Sequence, residues 1–293
     1  IRQLRALRVD ISGLFVQEKG FDTVTFAKRY RDEQEAPRID FGFFNERTRD
    51  ADVFILEQIR QALKETDVLI FNQQVPGSIR DPFFIDEANR IFREFEDRII
   101  LLDSRHYTGK FHGIYRKSNE IEIAGLNGVE VHPGDHIPLD RVSEYGREVH
   151  KKEGKPVFIT CGERGLIVVD ATGARHIPGI QFLKRLDPVG AGDTTLSALA
   201  LALATGSTPE EAARFANLAA AVTVQKLFTT GTANAGEILQ MAEAPDQIHH
   251  PDLARDERRA RFIEDSDIEI CSVGLHPGDY SIRHAIFDHD GTI

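Results

Sequence analysis

Short runs of β-forming apolar residues alternate along this chain with longer segments of helical periodicity. In the helical segments, apolar residues recur three and four positions apart, as at Ile55, Leu56, Ile59 and Leu63. Four runs are predicted as strands, at residues 67–71, 98–103, 156–160 and 165–170. This order over residues 1–240 predicts an α/β fold in which helices cover a mostly parallel sheet.

Two β-forming segments near the start, residues 23–30 and 38–44, have no helical pattern between them. They are bounded by charged turns, which predicts a small antiparallel β flap beside the main sheet. An open strand edge on such a flap would let two chains pair, so a homodimer is one expected assembly.

Composition excludes several classes of partner. The chain has 36 Lys and Arg against 47 Asp and Glu, a net charge of −11, which disfavours nucleic acid and anionic membrane surfaces as partners. No apolar run approaches the length of a membrane span. The acidic balance leaves a small-molecule substrate as the expected partner. The only two cysteines, Cys161 and Cys271, are too few for a disulfide framework, which favours a cytoplasmic protein. The chain begins at Ile1 and its single methionine is Met241, so we expect an excerpt of a longer protein.

A glycine-containing turn carries the clearest chemical signal. Residues Asp187 to Asp193 read Asp-Pro-Val-Gly-Ala-Gly-Asp and precede an Ala-rich apolar run that ends at Ala204. The two glycines permit a sharp turn, and the run that follows predicts a buried helix starting near Gly192. The first N–H groups of a helix have no partner within it, so this turn is expected to bind an anion.

Asp193 stands at this turn although a carboxylate repels an anion. A carboxylate that accepts the proton of a hydroxyl attacking phosphorus would explain its presence. The alternative is that Asp193 simply caps the helix, since Asp is a favoured N-cap residue. The sequence contains no Walker loop, and Thr195 replaces the third small residue of the dinucleotide fingerprint.

Four ordered motifs resemble those of the ribokinase (PfkB) family of carbohydrate and nucleoside kinases. The turn at residues 187–193 is similar to the family's C-terminal signature. The other three are Asn119-Glu-Ile-Glu122, Thr160-Cys-Gly-Glu-Arg-Gly165 after a strand, and Phe215-Ala-Asn217-Leu-Ala-Ala. The resemblance implies a ribokinase-like three-layer α/β/α fold and ATP-dependent phosphoryl transfer to a hydroxyl of a sugar or sugar phosphate.

The resemblance also implies a role for each matched residue. Asp193 would be the general base, and Gly190, Ala191, Gly192 and Asp193 would offer N–H groups to the phosphoryl group. Nucleotide and phosphate binding would involve Asn119, Glu122, Thr160, Gly162, Gly165 and Asn217, with Glu122 ordering Mg²⁺ through water. Asp187 and the carbonyl of Val189 correspond to a monovalent cation site that could hold K⁺, although Pro188 replaces the usual Thr.

Substrate contacts are expected at the flap and at the ends of two strands. Ligands of open α/β sheets bind at the carboxyl ends of strands. The candidates there are Asn72, Gln73, Asp103, Arg105 and Lys110. Arg105 and Lys110 could bind a second phosphate of the acceptor, because Arg forms paired hydrogen bonds to phosphate oxygens. The alternative is that both belong to an ordinary solvated loop.

A second motif ends the chain. Asp288-His-Asp290-Gly-Thr292 follows an apolar run and resembles the first motif of haloacid dehalogenase-like phosphatases, in which the first Asp attacks phosphorus and the second is the acid/base. Both residues are expected to be idle in this chain, because the rest of such a domain is missing. A chance acidic turn is the alternative interpretation.

The predicted organisation is a kinase domain over residues 1–240 lacking its N-terminal part, a connector over 241–282, and the first strand and motif of a phosphatase-like domain over 283–293. A kinase joined to a phosphatase favours a heptose phosphate-like acceptor as a hypothesis. Three alternatives remain open: a nucleotide-binding module without turnover, a phosphatase with a kinase-like scaffold, and a nucleoside kinase.

Overall fold

The computed structural model describes residues 2–31, 34–42, 45–75, 79, 81–132, 135–182 and 185–243. The chain divides into two compact units, unit 1 up to Arg116 and unit 2 from Lys117 onward. The predicted connector beyond residue 243 and the motif residues Asp288 and Asp290 lie outside the described residues.

Unit 1 contains a hairpin followed by alternating helices and strands. Its elements are α1 (Arg2–Ala6), β1 (Thr25–Arg31), β2 (Gln34–Phe41), α2 (Arg49–Glu65), β3 (Val68–Gln73), α3 (Pro82–Glu94), β4 (Ile99–Ser104) and a short 3₁₀ helix at Thr108–Lys110. Strand β5 (Tyr115–Asn119) crosses the boundary between the units. The strands β3 and β4 are parallel, with Val68 opposite Ile99, as expected for strands that α3 connects.

The predicted flap is a two-stranded antiparallel sheet of β1 and β2. Thr25 pairs with Phe41, and the register shifts between Ala27 and Arg29. The second strand starts at Gln34, four residues before the predicted start, because the chain reverses over a shorter connection than the charge pattern indicated.

The helices of unit 1 bury their apolar faces against β3 and β4. Asp81 caps α3 by accepting a hydrogen bond from the N–H of Phe83 at 2.9 Å, and Pro82 occupies the first helical turn. The side chain of Phe71 packs against Phe92 and Phe111, with ring centroids 5.5 and 4.8 Å away. The periodic positions identified in the sequence therefore form the core of unit 1.

Unit 2 combines three antiparallel strands with five helices over its described residues. Its elements after β5 are α4 (Glu120–Leu126), α5 (Leu139–Glu153), β6 (Val157–Thr160), a 3₁₀ helix at Gly162–Arg164, β7 (Gly165–Asp170), β8 (Gly173–Pro178), α6 (Ala191–Ala204), α7 (Pro209–Thr223) and α8 (Ala235–Glu243). No helix in this part or elsewhere in the described chain has the length and apolarity needed to cross a membrane.

The strands β6, β7 and β8 form a meander rather than parallel crossovers. Val157 pairs with Val169, and Gly165 pairs with Pro178. Four residues join β6 to β7 and two join β7 to β8, which is too short for the helical connection that parallel pairing requires. This antiparallel pairing is compatible with the predicted sheet, which was expected to be mostly and not entirely parallel.

Helix α5 packs so closely on the meander that it needs a glycine. A Cβ atom at Gly146 would lie 2.7 Å from Cδ1 of Ile159 and 2.8 Å from Cγ2 of Val169. We expect Gly146→Ala to lower the free energy of unfolding by about 1–3 kcal/mol, the usual cost of overpacking a core. Urea denaturation of the two proteins would measure the change.

Gly125 in α4 provides a matched control for this prediction. A Cβ atom there would meet no atom within 4 Å, so Gly125→Ala should gain up to about 1 kcal/mol from the lower backbone entropy of the unfolded chain. Equal effects of the two substitutions would contradict close packing at Gly146.

Candidate functional site

The predicted turn leads into α6, and some of the backbone N–H groups at the start of this helix have no acceptor among the described residues. Gly190 is the N-cap residue in a left-handed conformation, with φ +84°, and no side chain caps the helix. The N–H of Ala191 already donates to the carbonyl of Pro188 at 3.1 Å. The N–H groups of Gly192 and Asp193 have no acceptor among the described residues. These two amides are therefore the groups at this helix start that are available to an anion.

Asp193 occupies the third position of α6 with an exposed side chain. Within the described chain, its carboxylate forms no hydrogen bond or ion pair. The alternative that Asp193 caps the helix is wrong, because Gly190 is the N-cap and the Asp193 side chain accepts no cap hydrogen bond. A carboxylate in this position is accessible to a hydroxyl group outside the protein.

Lys117 brings a positive charge to the same helix start. Its side chain projects from β5 and is only 7% exposed. A Cβ atom at Gly192 would lie 3.3 Å from its Nζ atom, so the ammonium lies directly beside the start of α6. The positive end of the helix dipole and the ammonium both favour a negative group at this point. Lys117 was not among the residues predicted from the sequence, where the available signal was a charged residue within a strand.

Asn119 and Glu122 form a capping box at the start of α4. The Oδ1 atom of Asn119 accepts the N–H groups of Ile121 and Glu122 at 3.0 and 2.8 Å. In turn, the Oε2 atom of Glu122 accepts a hydrogen bond from the N–H of Asn119 at 2.9 Å. The two residues of the predicted Asn-x-x-Glu motif thus fix each other.

A magnesium ion at this motif would need ligands from outside the protein. No group of three or more His, Cys, Asp or Glu side chains suited to a metal lies within the described ranges. A site with one carboxylate still fits Mg²⁺, which retains water and binds phosphate oxygens in kinase sites. Glu122 supplies the carboxylate for the predicted role, and its Oε2 atom also accepts the N–H of Asn119 in the capping box.

The loop after β6 lies beside the Asn119 segment. Thr160 donates its Oγ1–H to the carbonyl of Ser118 at 3.4 Å. Gly162 and Gly165 both have positive φ, +59° and +94°. At Gly165 a Cβ atom would overlap the carbonyl oxygen of Ile177, whereas Gly162 faces open space. Gly165 is thus required by close approach of the neighbouring strand, and Gly162 leaves room on the loop for a ligand.

Two further predicted residues have structural contacts of their own. Asn217 on α7 donates Nδ2–H to the carbonyl of Pro178 at 2.8 Å. The carboxylate of Asp187 accepts the N–H groups of Val189 and Phe228 at 3.1 and 3.2 Å. The Val189 carbonyl accepts a long hydrogen bond from Gly231, at 3.4 Å. These contacts shape the loop before α6, and a cation there would share oxygens that already accept hydrogen bonds.

The candidate substrate residues lie in unit 1 and differ in exposure. Gln73 is buried; it accepts a hydrogen bond from Ser104 at 2.9 Å and donates to the carbonyl of Val75, so its side chain stabilises the strand ends. Asp103 is also buried, at the end of β4. Three other candidates are exposed, namely Asn72, Arg105 and Lys110. The solvated-loop interpretation of Arg105 and Lys110 therefore stays open.

Comparisons with known proteins agree with the motifs. Residues 117–235 match the model of the pfkB family carbohydrate kinases. The chain is 27% identical over 290 residues to the bifunctional protein HldE of Shewanella piezotolerans, covering 96% of this chain and 57% of that protein. It is 28% identical over 295 residues to HldE of Mesorhizobium japonicum, covering 97% and 56%. The chain thus spans little more than half the length of these relatives.

Solved structures confirm the fold class. Phosphofructokinase-2 from Escherichia coli in complex with potassium aligns over 70% of this chain and 65% of its own, with a TM-score of 0.58 and 18% identity. Ribokinase from Thermotoga maritima aligns over 76% and 71%, with a TM-score of 0.56 and 20% identity. At this identity they show the ribokinase-like α/β fold alone.

None of these matches supports the phosphatase motif predicted at Asp288 and Asp290, which stays a prediction. The family match covers the segments that hold Lys117, the capping box, the loop after β6 and the start of α6. The prediction of a carbohydrate kinase domain is confirmed for this part of the chain. Residues 117–235 are thus similar in sequence to the pfkB family of carbohydrate kinases.

Proposed function

We propose that the protein transfers the terminal phosphoryl group of ATP to a hydroxyl of a sugar or sugar phosphate. The observation that carries this proposal is the unpaired Asp193 carboxylate on the helix turn that also presents two free amides and a buried lysine. A base, an anion-binding helix start and a cation are the groups that phosphoryl transfer requires.

In this proposal each of these groups has a defined role in phosphoryl transfer. The Asp193 carboxylate accepts the proton of the attacking hydroxyl. The N–H groups of Gly192 and Asp193 and the Nζ of Lys117 donate to the phosphoryl oxygens, where negative charge develops. Mg²⁺, when bound with ATP near Glu122, would neutralise charge on the phosphates. The loop from Thr160 to Gly165 and Asn217 would bind the nucleotide.

A sugar phosphate is the acceptor that the exposed cations favour. Arg105 and Lys110 follow β4 and are exposed to solvent, so a second phosphate could reach them without loss of an internal contact. A phosphofructokinase-2 structure from E. coli, at 16% identity and a TM-score of 0.52, was solved with fructose-6-phosphate. A heptose phosphate-like acceptor remains part of this proposal.

Two further parts of the proposal concern potassium and assembly. Asp187 and the Val189 carbonyl would hold K⁺, a cation present in the phosphofructokinase-2 complex, provided that their present hydrogen bonds are shared. The homodimer stays a prediction. The exposed side chains of Ile39 and Phe41 on the β1–β2 hairpin support it, since an apolar strand surface favours pairing.

An assay of ADP release tests the proposed reaction. The full chain would be incubated with Mg²⁺-ATP and a panel of sugars, sugar phosphates and nucleosides, and ADP would be measured by a coupled reaction. Release that depends on a sugar or sugar phosphate supports the proposal. Release that depends only on nucleosides would identify a nucleoside kinase instead.

A nucleotide-binding module without turnover is the second candidate. The capping box favours it, because it gives Asn119 and Glu122 a structural reason to be present without any metal. Calorimetry would separate the two candidates: ATP binding with no acceptor-dependent ADP for any compound of the panel would support the module.

A further inference from the structure

A buried arginine connects two of the segments that we propose to bind Mg²⁺-ATP. Arg164 ends the 3₁₀ helix of the loop after β6 and is only 3% exposed. Its Nη2 atom is paired with the carboxylate of Glu120, the first residue of α4. Its Nη1 atom donates to the carbonyl of Ile137 at 2.8 Å. The guanidinium group thus joins chain segments that are far apart in sequence.

Two neighbouring contacts hold this connection in place. His176 on β8 donates its Nε2–H to the Arg164 carbonyl at 2.7 Å, which fixes the backbone of the arginine. Thr160 donates its Oγ1–H to the carbonyl of Ser118, two residues before Glu120, at 3.4 Å. The loop after β6 and the start of α4 therefore cannot shift relative to each other without breaking the ion pair.

Stability alone does not account for a buried ion pair. Removing two charges from water costs several kcal/mol for each ion, and well-packed apolar residues of similar volume are often as stable or more stable. The Nε atom of Arg164 also has no hydrogen-bond partner among the described residues, which adds to the cost. The ion pair instead holds the loop after β6 and the start of α4 in a single relative position.

The ion pair also neutralises one of the two carboxylates in the first turn of α4. Glu120 and Glu122 both lie in the first turn of this helix. An unpaired Glu120 would repel phosphate groups and compete with Glu122 for a cation. Because Arg164 neutralises Glu120, the carboxylate of Glu120 does not compete with Glu122 for a cation.

We propose that Arg164 is a positioning residue that, through Glu120, sets the Asn119–Glu122 turn against the nucleotide loop so that Mg²⁺ and nucleotide bind as one unit. This inference rests on the proposed function. It predicts that variants without the ion pair still fold but need a higher Mg²⁺ concentration to bind ATP.

Three variants of the full chain test this inference: Arg164→Met, Glu120→Gln and the double variant. ATP affinity would be measured by calorimetry at a series of Mg²⁺ concentrations. We expect each single variant to raise the Mg²⁺ concentration for half-maximal binding by about 10- to 100-fold, as for residues that orient metal ligands. The double variant should be no worse than the worse single one, since both substitutions remove the same link.

Arg47→Met serves as the matched control, because it removes a mostly buried ion pair with Asp52 in unit 1. It should lower the melting temperature and leave the Mg²⁺ dependence unchanged. If Arg164→Met does not fold, Glu120→Gln still tests the link, since the amide has nearly the shape of the carboxylate.

Three outcomes are distinguishable. The positioning role is supported if the wild type binds Mg²⁺-ATP and the variants need a higher Mg²⁺ concentration for half-maximal ATP binding. Lower melting temperatures with an unchanged Mg²⁺ response would show that the ion pair is structural only and would overturn the inference. Failure of the wild-type chain to bind Mg²⁺-ATP would instead overturn the proposed function and, with it, this inference.

Discussion

The Asp193→Asn variant is expected to phosphorylate its acceptor roughly 10²- to 10⁴-fold more slowly than the wild type, which is the usual cost of losing a general base. Asparagine has the size of aspartate but cannot accept the proton of the attacking hydroxyl. The Asp193 side chain is exposed and forms no hydrogen bond or ion pair within the described residues, so its replacement breaks no internal contact.

The loss should fall on kcat, and ATP affinity should be kept or slightly improved, because a negative charge beside the phosphates is removed. The helix loses only a favourable charge–dipole interaction of about 0.3–1 kcal/mol. Steady-state kinetics and ATP titration of the purified variant would measure both effects.

Asp50→Asn is a suitable control, since Asp50 is an exposed acidic residue in the first turn of α2. It should show the same small change in stability with full activity. An Asp193→Asn enzyme as fast as the wild type would exclude Asp193 as the base.

Lys117→Met is expected to lower kcat/KM for ATP by roughly 10²- to 10³-fold, the range seen when one donor to developing charge is removed. The Lys117 Nζ lies beside Gly192, where the transferring phosphoryl group would bind. Methionine fills a similar volume without the charge, so the variant should fold. Burying a thioether also avoids the desolvation cost of a buried ammonium.

Thermal melting with and without a non-hydrolysable ATP analogue would separate a binding role from a structural one. The ligand-induced rise in melting temperature should shrink in Lys117→Met, because the variant binds the triphosphate more weakly. Lys151→Met, at an exposed position of α5, should leave that rise unchanged. A Lys117→Met protein with wild-type turnover and an unchanged ligand-induced rise would show that Lys117 does not contact the phosphates.

Local patterns were sufficient to predict much of this molecule. Apolar spacing at Ile55, Leu56, Ile59 and Leu63 identified α2, and the runs at 67–71 and 98–103 correspond to β3 and β4. The turn from Asp187 to Asp193 was predicted correctly as the start of a buried helix, because glycines and an Ala-rich run act through neighbouring residues alone. The family motifs could be identified for the same reason.

Other features depend on contacts between residues distant in sequence. The antiparallel meander follows from connection lengths that became clear only once the strand ends were known. In the sequence Gly146 has no feature that distinguishes it from other helix residues, and only its packing against Ile159 and Val169 explains the glycine. Gln73, predicted as a substrate residue, accepts a hydrogen bond from Ser104 on the neighbouring strand, a contact without a local sequence signal.

Local sequence patterns were enough to establish that helices alternate with strands, that a glycine turn precedes a buried helix with unpaired amides, and that an aspartate lies on that turn. Each of these depends on backbone preferences and apolar spacing over a few residues. The position of the Lys117 ammonium beside Gly192 and the pairing of Arg164 with Glu120 depend on the folded chain. The reason is physical: a buried charge takes its partner from whichever segment the fold places beside it, and residues 44 positions apart carry no local signal of that contact.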